Sequence, residues 1–250
     1  MSVSYENAAL TDVGNIRTVN EDSFSFADYT SIDKGIAFLV SDGMGGYTGG
    51  DVASQFVSEN ILSNLESIQA RNMEDLIERS VLTCNDELLE LSVSNGKNSL
   101  MGATLALLII NGYNGYVCNI GDSRVYLIRD NNIVQISDDH TVVAEMEKSG
   151  LIKHEEALTH PKKHMLSKVL GRELYWEEDF IKKFPVLAED RFVICSDGLY
   201  NYLDNKEIFE ISLACNSEES GQRMLNLAKE RGGSDNITVQ VVKINNIEED

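Results

Sequence analysis

Ile36-Ala37-Phe38-Leu39-Val40-Ser41-Asp42-Gly43-Met44-Gly45-Gly46 decides how the rest of the chain is read. Five apolar residues run without a break to Ser41, a pattern that predicts a short strand buried on both faces. The run then ends in an aspartate and glycines. A carboxylate at that place is costly unless something positive meets it, and the glycines let a backbone or a ligand come close. Arg191-Phe192-Val193-Ile194-Cys195-Ser196-Asp197-Gly198 repeats the design far downstream. Two buried strands that end in Ser-Asp-Gly imply carboxylates from distant parts of the chain converging on cations.

The composition bounds what surrounds them. With 250 residues, 42% of them apolar, the chain can bury a sizeable core in one large domain or two small ones. No stretch approaches the roughly 18 apolar residues of a membrane span. The first residues lack the basic and apolar regions of a signal peptide. A cytoplasmic protein with no membrane insertion is expected. The formal net charge of −20 argues against nucleic acid and anionic membranes as partners. Cys84, Cys118, Cys195 and Cys215 are scattered without a Cys-x-x-Cys pair, which favours reduced, buried thiols over disulfides or a zinc site.

Val3 to Tyr29 alternates weakly, with a turn at Gly14-Asn15 and strand-like alternation at Ser23–Phe26. Helical spacing of apolar residues predicts helices over Gly49–Leu65 and Met73–Leu91. Gly102–Ile110 is apolar but too short to assign by period, and Asn111-Gly112 reads as a turn. Tyr116–Ile120, Arg124–Ile128 and Ile133–Ile136 read as a meander within one mainly antiparallel sheet. Asp139–Pro161 is polar and brokenly helical. Strands are expected over Glu178–Pro185 and Arg191–Ser196, helices over Asn205–Ala214 and Glu218–Glu230, a closing strand over Asn236–Ile244, and a frayed tail from Glu248 to Asp250. Runs of strands and runs of helices point to an α+β fold, with helix pairs covering two packed sheets.

Asp22, Asp42, Asp122, Asp197 and Asp235 each stand beside a glycine or at a strand end. Oxygen-only ligands suit Mg²⁺ or Mn²⁺. Arg17, four residues before Glu21, fits a surface ion pair and a bidentate phosphate clamp equally well. Gly43-Met44-Gly45-Gly46 lacks the endings of nucleotide-binding glycine loops. Cys118 to Arg124 fits Cys-x5-Arg, but the residues after it read as a strand rather than the helix such a phosphate loop must open, and Asp122 would repel the anion. There is no Gly-x-Ser-x-Gly. His160, before Pro161, is the most noticeable histidine and reads as a loop residue.

Taken together, DVGNIRTVNEDSF, VSDGMGGYTGGDVAS, MGATLA, NIGDSRVYLI, DDHTVV, the His-Pro and Leu-Gly of the middle segment, VICSDGL and GGSDNITV resemble, in order, the metal-dependent serine/threonine phosphatases of type 2C in their short bacterial form. The resemblance implies a single catalytic domain over residues 1–250. It implies an αββα four-layer sandwich of two mainly antiparallel sheets flanked by helix pairs. By position, Asp42 resembles the carboxylate bridging two metals, with the Gly43 carbonyl, Asp197 and Asp235 as further ligands. Glu21 and Asp22 match the block that holds a metal's water shell, Asp122 a weaker third site shared with Asp197, and Arg17 the phosphate-binding arginine. Asn236 falls on the asparagine that follows the last aspartate. The implied cofactors are two Mn²⁺ or Mg²⁺ ions with a weaker third, activating a hydroxide that attacks phosphorus without a phospho-enzyme. The implied partners are phosphoprotein substrates, a serine/threonine kinase among them, for a monomeric enzyme. Asp139–Gly171 resembles the family's mobile flap. Lys229 departs from an asparagine common before the Gly-Gly, and Met44 stands where animal relatives carry a histidine proposed as general acid. A pseudophosphatase and a calcium-binding protein are the rival classes. The intact aspartates oppose the first and the lack of an EF-hand loop opposes the second.

Overall fold

Alternation along the strands builds three apolar layers, and these set the architecture. The computed structural model describes residues 2–45, 49–94 and 101–248. Gly46 of the glycine loop and residues 249–250 of the expected tail lie outside them. In chain order the elements are β1 (Ser2–Asp12), β2 (Asp22–Tyr29), β3 (Gly35–Met44), α1 (Gly50–Ser67), α2 (Met73–Ser94), β4 (Gly102–Ala103), β5 (Leu105–Asn111), β6 (Asn114–Ile120), β7 (Arg124–Arg129), β8 (Asn132–Gln135), α3 (Val142–Lys148), α4 (His154–Thr159), β9 (Ile181–Pro185), β10 (Arg191–Cys195), α5 (Asp197–Tyr200), α6 (Asn205–Ala214), α7 (Ser217–Glu230) and β11 (Ile237–Glu248). One sheet runs β1-β11-β10-β7-β8 and the other β2-β3-β5-β6-β9, with β4 paired to β3. Every pairing is antiparallel.

Ile36, Phe38 and Val40 of β3 face Val125, Phe192, Ile194, Val242 and Ile244 of the other sheet. Their neighbours Ala37 and Leu39 turn outward onto Val57, Ile61, Ile77 and Leu88 of α1 and α2. In the second sheet Val193, Val239 and Val241 face Ile208, Met224 and Leu225 of α6 and α7. Each inner strand is therefore apolar on both faces, as its unbroken runs foretold. The result is helix pair, sheet, sheet, helix pair. At Asn245 the β1–β11 register slips by one residue. That bulge reverses the facing of the strand's last residues and delivers Ile247 to the inter-sheet core.

The structure corrects several expectations. β3 does not stop at Ser41; it continues to Met44, so Asp42 stands within the strand rather than after it. The expected meander does not lie in one sheet. β5 and β6 form a hairpin in one sheet, the chain crosses at Gly121-Asp122-Ser123, and β7 and β8 form a hairpin in the other. Glu178–Phe180 is a 3-10 turn that precedes β9 rather than part of it. Val3 to Asp12 forms a strand of its own that joins the sheet opposite β2. All four cysteines are free and buried.

Helix ends are tied down locally. Asp204 and Glu207 form a reciprocal capping box on α6, and Asn216 caps α7. At the C-terminus of α1, the ammonium of Lys34 donates to the carbonyls of Leu65 (2.8 Å), Glu66 (2.6 Å) and Ile68 (2.9 Å). A cation there also opposes the negative end of the helix dipole. Lys34→Met keeps most of the stem and deletes these bonds. It is expected to lower stability by about 1.5–3 kcal/mol, measurable as a lower denaturant midpoint with an unchanged slope.

Candidate active site

At one end of the seam between the sheets, segments from both ends of the chain meet. Asp22 at the start of β2 lies opposite Asp42 of β3 in the antiparallel register. Like charges so placed repel. Asp42 is held through its backbone. Its N–H donates to Thr104 Oγ1 (2.8 Å) and its carbonyl accepts from the Thr104 N–H (2.8 Å). Thr104 Oγ1 lies 2.6 Å from Ser123 Oγ in the crossover that carries Asp122. Asp197 opens α5, and Asn201 Nδ2 donates to its Oδ2 (3.1 Å). Asn236 donates to the carbonyls of Val13 (3.0 Å) and Val19 (2.9 Å) and accepts from the Glu21 N–H (2.8 Å), so it folds the Arg17 loop against the last strand.

Two glycines are required by close approach. A Cβ on Gly43 would stand 1.9 Å from the Gly50 carbonyl oxygen, and one on Gly198 would stand 1.9 Å from that of Asn236. These contacts bring the SDG of β3 onto α1 and the SDG at the start of α5 onto the Asp235-Asn236 turn.

Arg17, Glu21, Asp42, Gly43, Asp122, Asp197 and Asp235 all line one cleft of about 790 Å³, together with Asn236 and Thr104. Asp22 is buried beneath its floor. Ser196 Oγ donates to Asp22 Oδ2 (2.7 Å), and Asp22 Oδ1 has no hydrogen-bond partner. Arg17 Nη2 donates to Asp235 Oδ2 (2.9 Å), with Nη1 3.7 Å from Glu21 Oε2. Its guanidinium is therefore tied to the cluster rather than to unrelated surface groups. Among the described residues, the other basic side chain within 4.0 Å of these carboxylates is His164, 3.9 Å from Asp197 Oδ2.

The electrostatics follow from crowding. Burial pushes the Asp42 carboxyl well above the usual range, and Asp22, Asp197, Asp122 and Asp235 add to it. Burial raises Asp22 to about 7, with Asp197 and Asp235 contributing. Asp122 likewise sits at about 7, through burial and then Asp197. Asp197 is raised by burial and by Asp235. Burial opposes the charge of Arg17, and the carboxylates of Asp235, Glu21 and Asp42 outweigh it. Among the described residues no three acidic, His or Cys side chains are grouped so that they could hold a metal ion by themselves. Ions that keep several waters need only one or two direct carboxylates. The orphaned buried oxygen of Asp22, the oxygen-only donors and the raised acidities all fit small hard divalent cations.

Some features escaped the sequence. Thr104 and Ser196, which fix Asp42 and Asp22, lie in recognisable blocks but show no chemistry of their own. The histidine in the cleft is His164, whereas His160 lies outside the lining and accepts from the Lys162 N–H (3.2 Å). No periodicity in that polar segment could have separated them. Cys118 is buried within β6, and burial pushes its thiol far up, which closes the Cys-x5-Arg reading. Lys229 leaves its loop in order. Its ammonium donates to Asp12 (2.7 Å), and its carbonyl accepts from Asn15 Nδ2 (2.7 Å).

The sequence over residues 16–240 matches the protein phosphatase 2C family model. The chain is 33% identical over 240 residues to the serine/threonine phosphatase stp of Listeria innocua, covering 94% of each. Its structure is similar to that of the serine/threonine phosphatase PstP/Ppp of Mycobacterium tuberculosis, with a TM-score of 0.86, 31% identity, and 97% and 99% of the two chains covered. It is also similar to the catalytic domain of serine/threonine protein phosphatase PstP in complex with two manganese ions, with a TM-score of 0.83, 30% identity, and 98% and 100% of the chains covered.

Because Asp22 and Asp122 sit at about 7 in the fold, against about 3.9 in an unfolded chain, the folded state binds more protons than the unfolded one between those values. Stability of the chelator-treated protein must then fall as pH rises through that window. The expected outcome is a melting temperature that declines between about pH 4 and 7 in EDTA, with the decline largely removed by Mn²⁺.

Proposed function

The chain belongs to the protein phosphatase 2C family and is a protein-serine/threonine phosphatase, and on that premise we propose that it hydrolyses phosphoserine and phosphothreonine by direct displacement with water, opposing a serine/threonine kinase. The single observation that carries the proposal is the crowd of buried, mutually repelling carboxylates at the end of the sheet seam with Arg17 at its edge. We further propose that residues 1–250 act as one catalytic domain. Asp42 with the Gly43 carbonyl, Asp197 and Asp235 would hold two Mn²⁺ or Mg²⁺ ions. Glu21 and Asp22 would support their water shell, and Asp122 with Asp197 a weaker third ion. When bound, such ions supply an acidified water and neutralise charge on the phosphoryl group.

The chain's own residues do the rest. Arg17 presents a planar donor fork that matches two phosphoryl oxygens. Asp235 and Glu21 orient that fork from below. Thr104 and Asn236 hold the backbone behind the carboxylates and Ser196 holds the Asp22 carboxylate directly, so no rearrangement is needed when charge develops. Among the described residues no cysteine lines the cleft; the Cys118 thiol is sealed inside a strand. Met44 lines the cleft without a transferable proton, so the departing alkoxide takes its proton from a group other than that side chain.

Release of phosphate from a phosphothreonine peptide should depend on added Mn²⁺ or Mg²⁺ and vanish in EDTA. Full turnover after chelation would sink the reading. Asp42→Asn should fall to background with the fold retained, as judged by circular dichroism. Near-normal rates and metal content in that variant would remove Asp42 from the site.

Arg17→Ala should lose the equivalent of about 1.5–3 kcal/mol, a ten- to few hundredfold drop in kcat/KM, with metal content intact. Arg17→Lys should recover only part of it. Unaltered constants in Arg17→Ala would leave Arg17 a surface ion pair.

A further inference from the structure

The cleft is larger than its carboxylate floor requires. At about 790 Å³ it falls in the range that encloses a drug-sized ligand, whereas a phosphoryl group and one short side chain fill a small part of that. The remaining wall comes from Met44 and the segment from His164 to Glu177. The charged groups on this wall already have hydrogen-bond or ion-pair partners. Lys168 pairs with Glu177 (2.9 Å), and Glu173 accepts from the Tyr175 hydroxyl (2.5 Å). Arg172 Nη1 donates to the carbonyls of Met101 (2.9 Å) and Gly171 (3.0 Å), and His164 faces Asp197. What the wall presents to a ligand is two thioethers, a leucine and an aromatic face. Three of these large side chains are strongly exposed for apolar groups: Met44 at 39%, Met165 at 54% and Tyr175 at 73%.

We propose that Met44, Met165, Leu174 and Tyr175 form a subsite for a large apolar side chain adjacent to the phosphorylated residue of the substrate. The occupant is fixed by continuity with the floor. This inference rests on the floor's being the phosphoryl site. A phosphorylated residue anchored at Arg17 and the carboxylates places its sequence neighbours against this wall, within the same cleft. Burying those exposed apolar surfaces against an apolar neighbour is favourable, and flexible methionines adapt to several shapes. An acidic neighbour meets a lysine already paired with Glu177 and a chain of net charge −20, and so is disfavoured.

The probes are phosphothreonine peptides on one scaffold with Leu, Phe, Ala, Asp or Lys beside the phosphothreonine, and p-nitrophenyl phosphate, all with the manganese-loaded enzyme. The expected result is a kcat/KM for the Leu and Phe peptides about tenfold above that for the Ala peptide, expressed in KM. In Met165→Ser/Tyr175→Ser that ratio should collapse toward one, and in Tyr175→Phe it should persist. Equal constants for the Leu and Ala peptides, a preference for the Asp peptide, or a Leu preference that survives the double variant would each overturn the subsite. Because p-nitrophenyl phosphate has no peptide neighbours, failure of the unaltered enzyme to hydrolyse it would strike at the floor's assignment and take the subsite with it. Hydrolysis without peptide discrimination would strike at the subsite alone.

Discussion

Repulsion among buried carboxylates is the constraint on which this structure turns. Asp22 and Asp42 face each other across adjacent strands, and Asp122, Asp197 and Asp235 press in from other segments. Such a group survives folding only where its surroundings over-determine it. Here three apolar layers fix the strands, and polar latches act on the backbone. Thr104 holds both backbone polar groups of Asp42, and Asn236 binds the loop that carries Arg17 and Glu21. Holding carboxylates from behind leaves their oxygens to a ligand. The cost of gathering them is carried by the rest of the fold.

How much of the molecule is legible in the chain depends on how local each signal is. Unbroken apolar runs such as Ile36–Val40 announce burial on both faces, and an aspartate with glycines at the end of such a run announces a site. Asp42 and Asp197 were legible for that reason. Asp22 was legible as an acid but not as a buried one, because the sequence around it gives no sign that Ser196, 174 residues away, donates to its carboxylate inside the fold. Whether β6 and β7 share a sheet cannot be read from two short strands separated by Gly-Asp-Ser. The answer depends on Thr104 meeting Ser123 and on which core each strand joins. The extension of β3 past Ser41 comes from pairing with β2 and β4, again a non-local cause.

The wall opposite the floor shows the same limit from the other side. The segment from His164 to Tyr175 mixes charged, apolar and aromatic residues without any period. Which of them face the cleft emerges only in the fold, where Lys168 is paired with Glu177 and Met165 and Tyr175 stand exposed. No pattern in the chain separates the groups that line the cleft from those that pack beneath it.

β1 and β11 pair along their lengths, from Ser2 opposite Glu248 to Asp12 opposite Ile237, and the residues of the cleft flank that pairing: Arg17 and Glu21 on one side, Asp235 and Asn236 on the other. Contacts between such distant segments are slow to form. A ribosome makes residues 237–248 long after residues 2–12. The nascent chain therefore carries β1 without its partner and a half-built cleft until β11 emerges. The moment at which the cleft is first complete is set by the order of its strands.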